Sequence, residues 1–106
     1  MSLKEKKCVP CEGSMAPLNL KKITDLMAEL KDWSLENRHL VKNYNFKNFK
    51  ENMEFVNKVA DLAEKEGHHP FLFINYNNLK VELWTHTING LSENDFILAA
   101  KIDQIA

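Results

Sequence analysis

A chain of 106 residues is long enough for one hydrophobic core and too short for two independent ones. Apolar residues make up 44% and charged residues 27%, an ordinary globular composition that excludes wholesale disorder and collagen-like or coiled-coil chains. Fourteen Lys and Arg against fifteen Asp and Glu give a formal charge of −1, with no basic stripe for nucleic acid, no apolar run near the ~18 residues of a membrane span and no apolar opening stretch for a signal peptide, so a cytoplasmic protein is expected.

Pro10, Gly13 and Pro17 punctuate the first seventeen positions, where apolar periodicity is missing, so residues 1–17 are expected to form a flexible tail and residues 18–106 a single domain. From Leu20, the apolar residues Ile23, Leu26, Met27 and Leu30 recur at helical spacing behind Asn19, a suitable N-cap. Trp33 to Leu35 and His39 to Phe46 predict a first hairpin turning at Asn37. A second helix runs from Phe46 or Asn48 to Glu66, with Phe49, Met53, Val56, Val59, Ala60 and Ala63 in one apolar stripe and Gly67 as the residue that ends it. Phe71 to Tyr76 and Leu79 to His86 then form two strands around an Asn77-Asn78 turn. Ser92 and Asp95 have the spacing of a capping box that opens a last helix, with Leu98, Ala99, Ile102 and Ile105 on its buried side. The expected fold is α+β, in the order α-β-β-α-β-β-α: a four-stranded antiparallel sheet with helices packed on one face.

With Asn77 and Asn78 as the loop, Tyr76 faces Leu79, Ile74 faces Val81 and Leu72 faces Leu83, all on the core side. The other side carries Phe71 with Trp84 and, one step further, His69 with His86. Three histidines, His68, His69 and His86, therefore converge at the open end of the hairpin beside the end of the long helix. Residues 67 to 92 hold only two charged side chains, Lys80 and Glu82, where average composition gives about seven. Such a site suits a neutral planar ligand flanked by Phe71 and Trp84.

A histidine cluster supplies an acid and a base near neutral pH, whereas the plainer reading makes His68-His69-Pro70 a polar connector and His86 a solvated strand end. Adjacent strand residues point to opposite faces, so His68 and His69 do not readily share one metal ion, and no metal is expected. Cys8 and Cys11 have redox spacing but sit in the expected tail and not at a helix N-terminus, which favours inert thiols. Asp95 is explained by its capping position, and Glu64 by a solvated helix face.

The run Glu64, three residues, His68-His69-Pro70, five residues, Tyr76, nine residues, His86, eight residues, Asp95 resembles the signature of the pterin-4a-carbinolamine dehydratases. Gly90-Leu91-Ser92-Glu93-Asn94-Asp95, the following Leu98 to Asp103, Trp33 and Phe46 to Phe55 extend the likeness over nearly all the chain beyond the tail. The resemblance implies dehydration of 4a-hydroxytetrahydropterin to quinonoid dihydropterin, the recycling step after aromatic amino-acid hydroxylation, without metal or organic cofactor. By carry-over, His68 and His86 are the acid and base, His69 positions the pterin, and Glu64, Pro70, Phe71, Trp84 and Asp95 bind or orient. It also implies a homodimer or homotetramer, a hydroxylase as pathway partner, and, as a second class of function, a non-catalytic interaction module of the kind that assists transcription-factor dimerisation. The chain departs from the family where members often carry an acidic residue and Trp after His-His-Pro; here Phe71-Leu72-Phe73 follows. Gly67 likewise stands where an acidic or amide residue often precedes the histidine pair.

Overall fold

The computed structural model describes residues 2–9 and 16–106. Asn19 caps α1 (Leu20–Met27) by accepting the Lys22 N–H on its side chain, and Asn48 caps α2 (Phe49–Glu66) the same way through the Glu51 N–H. Between them β1 (Ser34–Glu36) and β2 (His39–Asn45) form the first hairpin, turning through Asn37 and Arg38, both at positive φ. After α2 come β3 (Phe71–Asn75), β4 (Asn78–Leu83), a short 3₁₀ turn at His86–Ile88 and α3 (Glu93–Ile105). The sheet is antiparallel, in the order β1-β2-β4-β3. Element order and fold class are those expected of the sequence.

Period-two alternation sends Leu40 and Tyr44 of β2 and Leu79, Val81 and Leu83 of β4 to one face, where Phe55 and Val59 of α2 and Phe96, Leu98 and Ile102 of α3 complete the core. Asp103 near the end of α3 ties that layer to the sheet, accepting from Trp33 Nε1 at 2.9 Å, Lys42 Nζ at 2.7 Å and the Tyr44 hydroxyl at 2.5 Å. Burial and the Asp103 contact push the Tyr44 phenol above its ordinary pKa.

The second hairpin departs from the sequence reading in register. Leu72 faces Val81 and Ile74 faces Leu79, each two positions earlier on β4 than an Asn77-Asn78 loop requires. The loop is Tyr76-Asn77, with Tyr76 at φ +50°. Tertiary contacts set it: the buried Asn52 amide of α2 donates to the main-chain oxygens of Tyr76 and Asn78, each at 3.0 Å, and the Phe46 N–H donates to Asn77 O at 2.7 Å. A shift of two preserves which residues share a face, but β3 is an edge strand, so Ile74 is 42% and Tyr76 64% exposed instead of buried. β4 also ends at Leu83, short of His86.

Of the residues expected to form a tail, 2–9 run along α3. Leu3 is buried in the core, Lys6 Nζ pairs with Glu93 at 2.9 Å, and Pro17-Leu18 packs on Gly90-Leu91, with the Leu18 N–H bonded to Leu91 O at 2.9 Å. Pro10, Cys11 and Gly13 lie outside the described residues, and the expectation for the Cys8-Cys11 pair with them. Among the described residues no helix is long and apolar enough to cross a membrane.

Candidate active site

Gly67 adopts the left-handed conformation, φ +67°, and its N–H caps Ala63 O at 2.9 Å. That turn ends α2 and delivers His68 and His69 in the connector to β3. The His68 ring is largely covered, and its Nε2 meets Asp95 Oδ1 at 2.6 Å. Asp95 is fully buried, 0% exposed, in the first turn of α3. Its other oxygen accepts the Ser92 N–H at 2.9 Å and the Thr85 hydroxyl at 2.8 Å. A hydroxyl has one hydrogen, and that of Thr85 goes to Asp95, so the 2.8 Å contact between Thr85 and Ser92 is donated by Ser92. The carboxylate thus helps cap its helix and orients a histidine at once.

Thr85 has a second task. Its N–H bonds to Gly90 O at 2.8 Å and its carbonyl accepts from the Gly90 N–H, a two-residue bridge that pinches off the 3₁₀ turn carrying His86. No Cβ fits at Gly90, because it would stand 2.8 Å from Pro17 Cβ. The exposed His86 ring makes no hydrogen bond to a described residue; it tilts against Trp84 at 4.4 Å and Phe71 at 5.3 Å between ring centres. Trp84 lies in the middle of a parallel stack, with His39 at 3.8 Å on one side and Phe71 at 4.3 Å on the other. Glu82 fixes the His39 ring through Nδ1 at 2.5 Å.

An open cleft of about 270 Å³ brings together His68, His69 and His86 with Trp84, Thr85 and Asn94. His69 and His86 are not cross-strand partners, because the register differs and His86 sits on the turn after β4. Glu64 lies outside the cleft, exposed, with Oε2 on His69 Nε2 at 2.5 Å. Pro70 and Phe71 do not line the cleft, although Phe71 supports Trp84 from behind. Asp95 lies beneath the cleft, bonded to His68 in its wall. Among the described residues no group of three or more His, Cys, Asp or Glu side chains is placed to hold a metal.

Val9 adds a wall that the sequence reading did not foresee. Its N–H donates to Asn94 Oδ1 at 2.9 Å, and the Asn94 amide donates back to Val9 O. Next to it the Cys8 N–H donates to Glu66 Oε1 at 2.9 Å. Burial raises the Glu66 carboxyl, but the Cys8 N–H and Lys101 outweigh it and hold it below the ordinary glutamate value. Burial first, and then the Glu66 charge, push the Cys8 thiol up to about 12. Thr85, His39, Asn94 and Val9 carried no signal along the chain: each matters through a partner at least seven residues away.

Residues 16–105 match the family model described as Pterin 4 alpha carbinolamine dehydratase. A Rickettsia canadensis protein assigned by name to pterin-4-alpha-carbinolamine dehydratase is 55% identical over 103 residues, covering 95% of this chain and 94% of that one. A Rickettsia bellii protein of the same name is 54% identical over 104 residues, covering 96% and 92%. Among solved structures, a Brucella melitensis protein described as a transcriptional coactivator/pterin dehydratase superposes with a TM-score of 0.80 at 32% identity, over 85% of this chain and 98% of that one. A pterin dehydratase-like protein described as a RuBisCO assembly factor of the alpha-carboxysome shares the fold, with a TM-score of 0.62 at 23% identity over 72% and 90% of the two chains.

Proposed function

Since the chain belongs to the pterin-4a-carbinolamine dehydratase family, we propose that its cleft dehydrates a 4a-hydroxytetrahydropterin to the quinonoid dihydropterin and water, by histidine acid-base catalysis. The observation that carries this reading is the His68–Asp95 pair, a cleft-lining imidazole whose far nitrogen rests on a buried carboxylate, facing the same cleft as His86, whose ring makes no hydrogen bond to a described residue. The reaction needs one proton delivered to the departing 4a-hydroxyl and one removed from N5. Asp95 sets the orientation of the His68 ring and stabilises it when it carries a proton, as a carboxylate does behind a catalytic histidine. His86, exposed at the mouth, exchanges protons with solvent. The acid and base roles fall to these two residues, and the pH-rate profile of each variant divides them. His69, tethered to Glu64, holds the flat ring, and Trp84, its faces covered by His39 and Phe71, borders it with its edge. On this reading the protein serves tetrahydrobiopterin recycling in the cytoplasm, downstream of an aromatic amino-acid hydroxylase.

The test is spectrophotometric dehydration of generated 4a-hydroxytetrahydropterin by wild type, His68→Ala and His86→Ala, with folding checked by circular dichroism. Acceleration over the spontaneous reaction that falls at least 100-fold in either folded variant is expected, within the ~10²–10⁴ that positioned acid-base groups supply. Absence of acceleration by the wild type overturns the enzymatic reading.

A second reading, the fold as an interaction module, is favoured by one feature: edge strand β3 displays Phe73 and Ile74 to solvent. Pairing of that edge with a second copy gives a homo-oligomer, which light scattering measures directly.

A further inference from the structure

We propose that residues 2–9 form a strap that completes one wall of the cleft and sets which ring substituents the site accepts, with Val9 as the specificity-determining side chain; this rests on the dehydratase reading of the cleft. The strap lies outside the stretch matched by the family, residues 16–105, yet it is anchored to the segments that carry the chemistry. Glu66, which holds the Cys8 N–H, stands two residues before His68; Asn94, which holds both polar main-chain groups of Val9, stands one residue before Asp95. Leu3 buried in the core and the Lys6–Glu93 ion pair secure the other end. The Glu66 anchor is costly to leave unmade. The Glu66 side chain is only 4% exposed, and a carboxylate so covered needs its N–H donor and Lys101 to offset desolvation.

What the strap offers a ligand is equally specific. Val9 has spent its main-chain N–H and C=O on Asn94, so its contribution to the cleft is an isopropyl group. That residue is 60% exposed at a wall of the cleft, which leaves apolar surface to be covered by a bound molecule. The histidines lining the same cleft supply proton transfer, and Trp84 supplies an aromatic edge; an aliphatic wall supplies neither. It discriminates instead by the size and polarity of whatever projects from the ring, and steric selection in an apolar pocket is worth about 10- to 200-fold per methylene at its most effective. A half-open wall works well below that ceiling.

The experiment compares two substrates, 4a-hydroxytetrahydropterins bearing either a 6-methyl or a 6-dihydroxypropyl group, across wild type, Val9→Ala, Val9→Phe and Asn94→Ala. In parallel, tryptophan fluorescence titration with the oxidised pterins of the same two substitution patterns reads binding without turnover. Val9→Phe is expected to raise KM and Kd for the longer substituent about 10-fold relative to the methyl compound. Val9→Ala and the strap-loosening Asn94→Ala are expected to move the ratio of the two affinities toward one. An unchanged ratio in all three variants, with an active wild type, overturns the strap inference and leaves the dehydratase intact. A wild type that binds both pterins without turnover overturns the dehydratase and still reports the strap through the Kd ratio. Failure to bind either pterin overturns both.

Discussion

Replacing Thr85 by valine exchanges one hydroxyl for a methyl of similar volume and thereby isolates what that hydroxyl does. In the wild type it donates to Asp95 Oδ2 at 2.8 Å and accepts from Ser92 at 2.8 Å, all three side chains being buried. The variant leaves Asp95 with the Ser92 N–H and His68, removes the acceptor of the Ser92 hydroxyl at Thr85 and presses a methyl group against a carboxylate oxygen. A hydrogen bond to a charged group contributes about 1.5–3 kcal/mol, so a loss of about 2 kcal/mol is expected. At about 4–8 °C per kcal/mol for a domain of this size, Tm falls by about 10 °C. Asp95 then turns about its Ser92 contact and no longer fixes the His68 ring, so kcat falls about 10-fold, equivalent to about 1.4 kcal/mol of the barrier. Thr85→Ser keeps the hydroxyl and restores kcat to within about two-fold, by the same arithmetic less than about 0.5 kcal/mol. In an Asp95→Asn background Thr85→Val costs little further activity, because the two changes act through one contact. Wild-type kcat and Tm in Thr85→Val, or equal damage in Thr85→Ser, would refute the reasoning.

Other changes report on the surrounding supports. Gly67→Ala meets no atom within 4 Å but keeps φ at +67°, so urea denaturation should show a loss of about 1–2 kcal/mol from backbone strain alone, with Gly67→Asn milder. Glu66 has a depressed pKa, so its contribution to stability is complete above the ordinary value of 4.5 and disappears as pH falls through the folded-state value; Glu66→Gln should flatten the acid limb of a stability-pH curve, and an unaltered limb counts against the clamp. The rise of the Cys8 pKa from 9.0 to about 12 lowers its thiolate about 1,000-fold at neutral pH. In a Cys11→Ser background, iodoacetamide should label Cys8 correspondingly slowly, and Asn94→Ala, which releases the strap, should speed it; mass spectrometry follows both.

The helices and strands were legible because local patterns specify them: Asn19 and Asn48 as caps, Gly67 as the left-handed terminator, and the alternation of Leu79, Val81 and Leu83. The gathering of His68, His69 and His86 in one cleft was also legible, because connector length and strand parity survive a two-residue slip of register. The register itself was not, because Asn52, more than twenty residues away in α2, holds the Tyr76-Asn77 turn against the local preference of Asn77-Asn78. Nor could the chain order reveal that Asp95 reaches His68, that Thr85 holds Asp95, or that Val9 walls the cleft through Asn94. Sequence by itself determined the elements and the residue types able to move protons, since propensity and periodicity act over a few neighbours. Only the tertiary structure decided which nitrogen faces a carboxylate and which surface encloses the ligand, since hydrogen bonds and burial depend on groups that meet after the chain has folded.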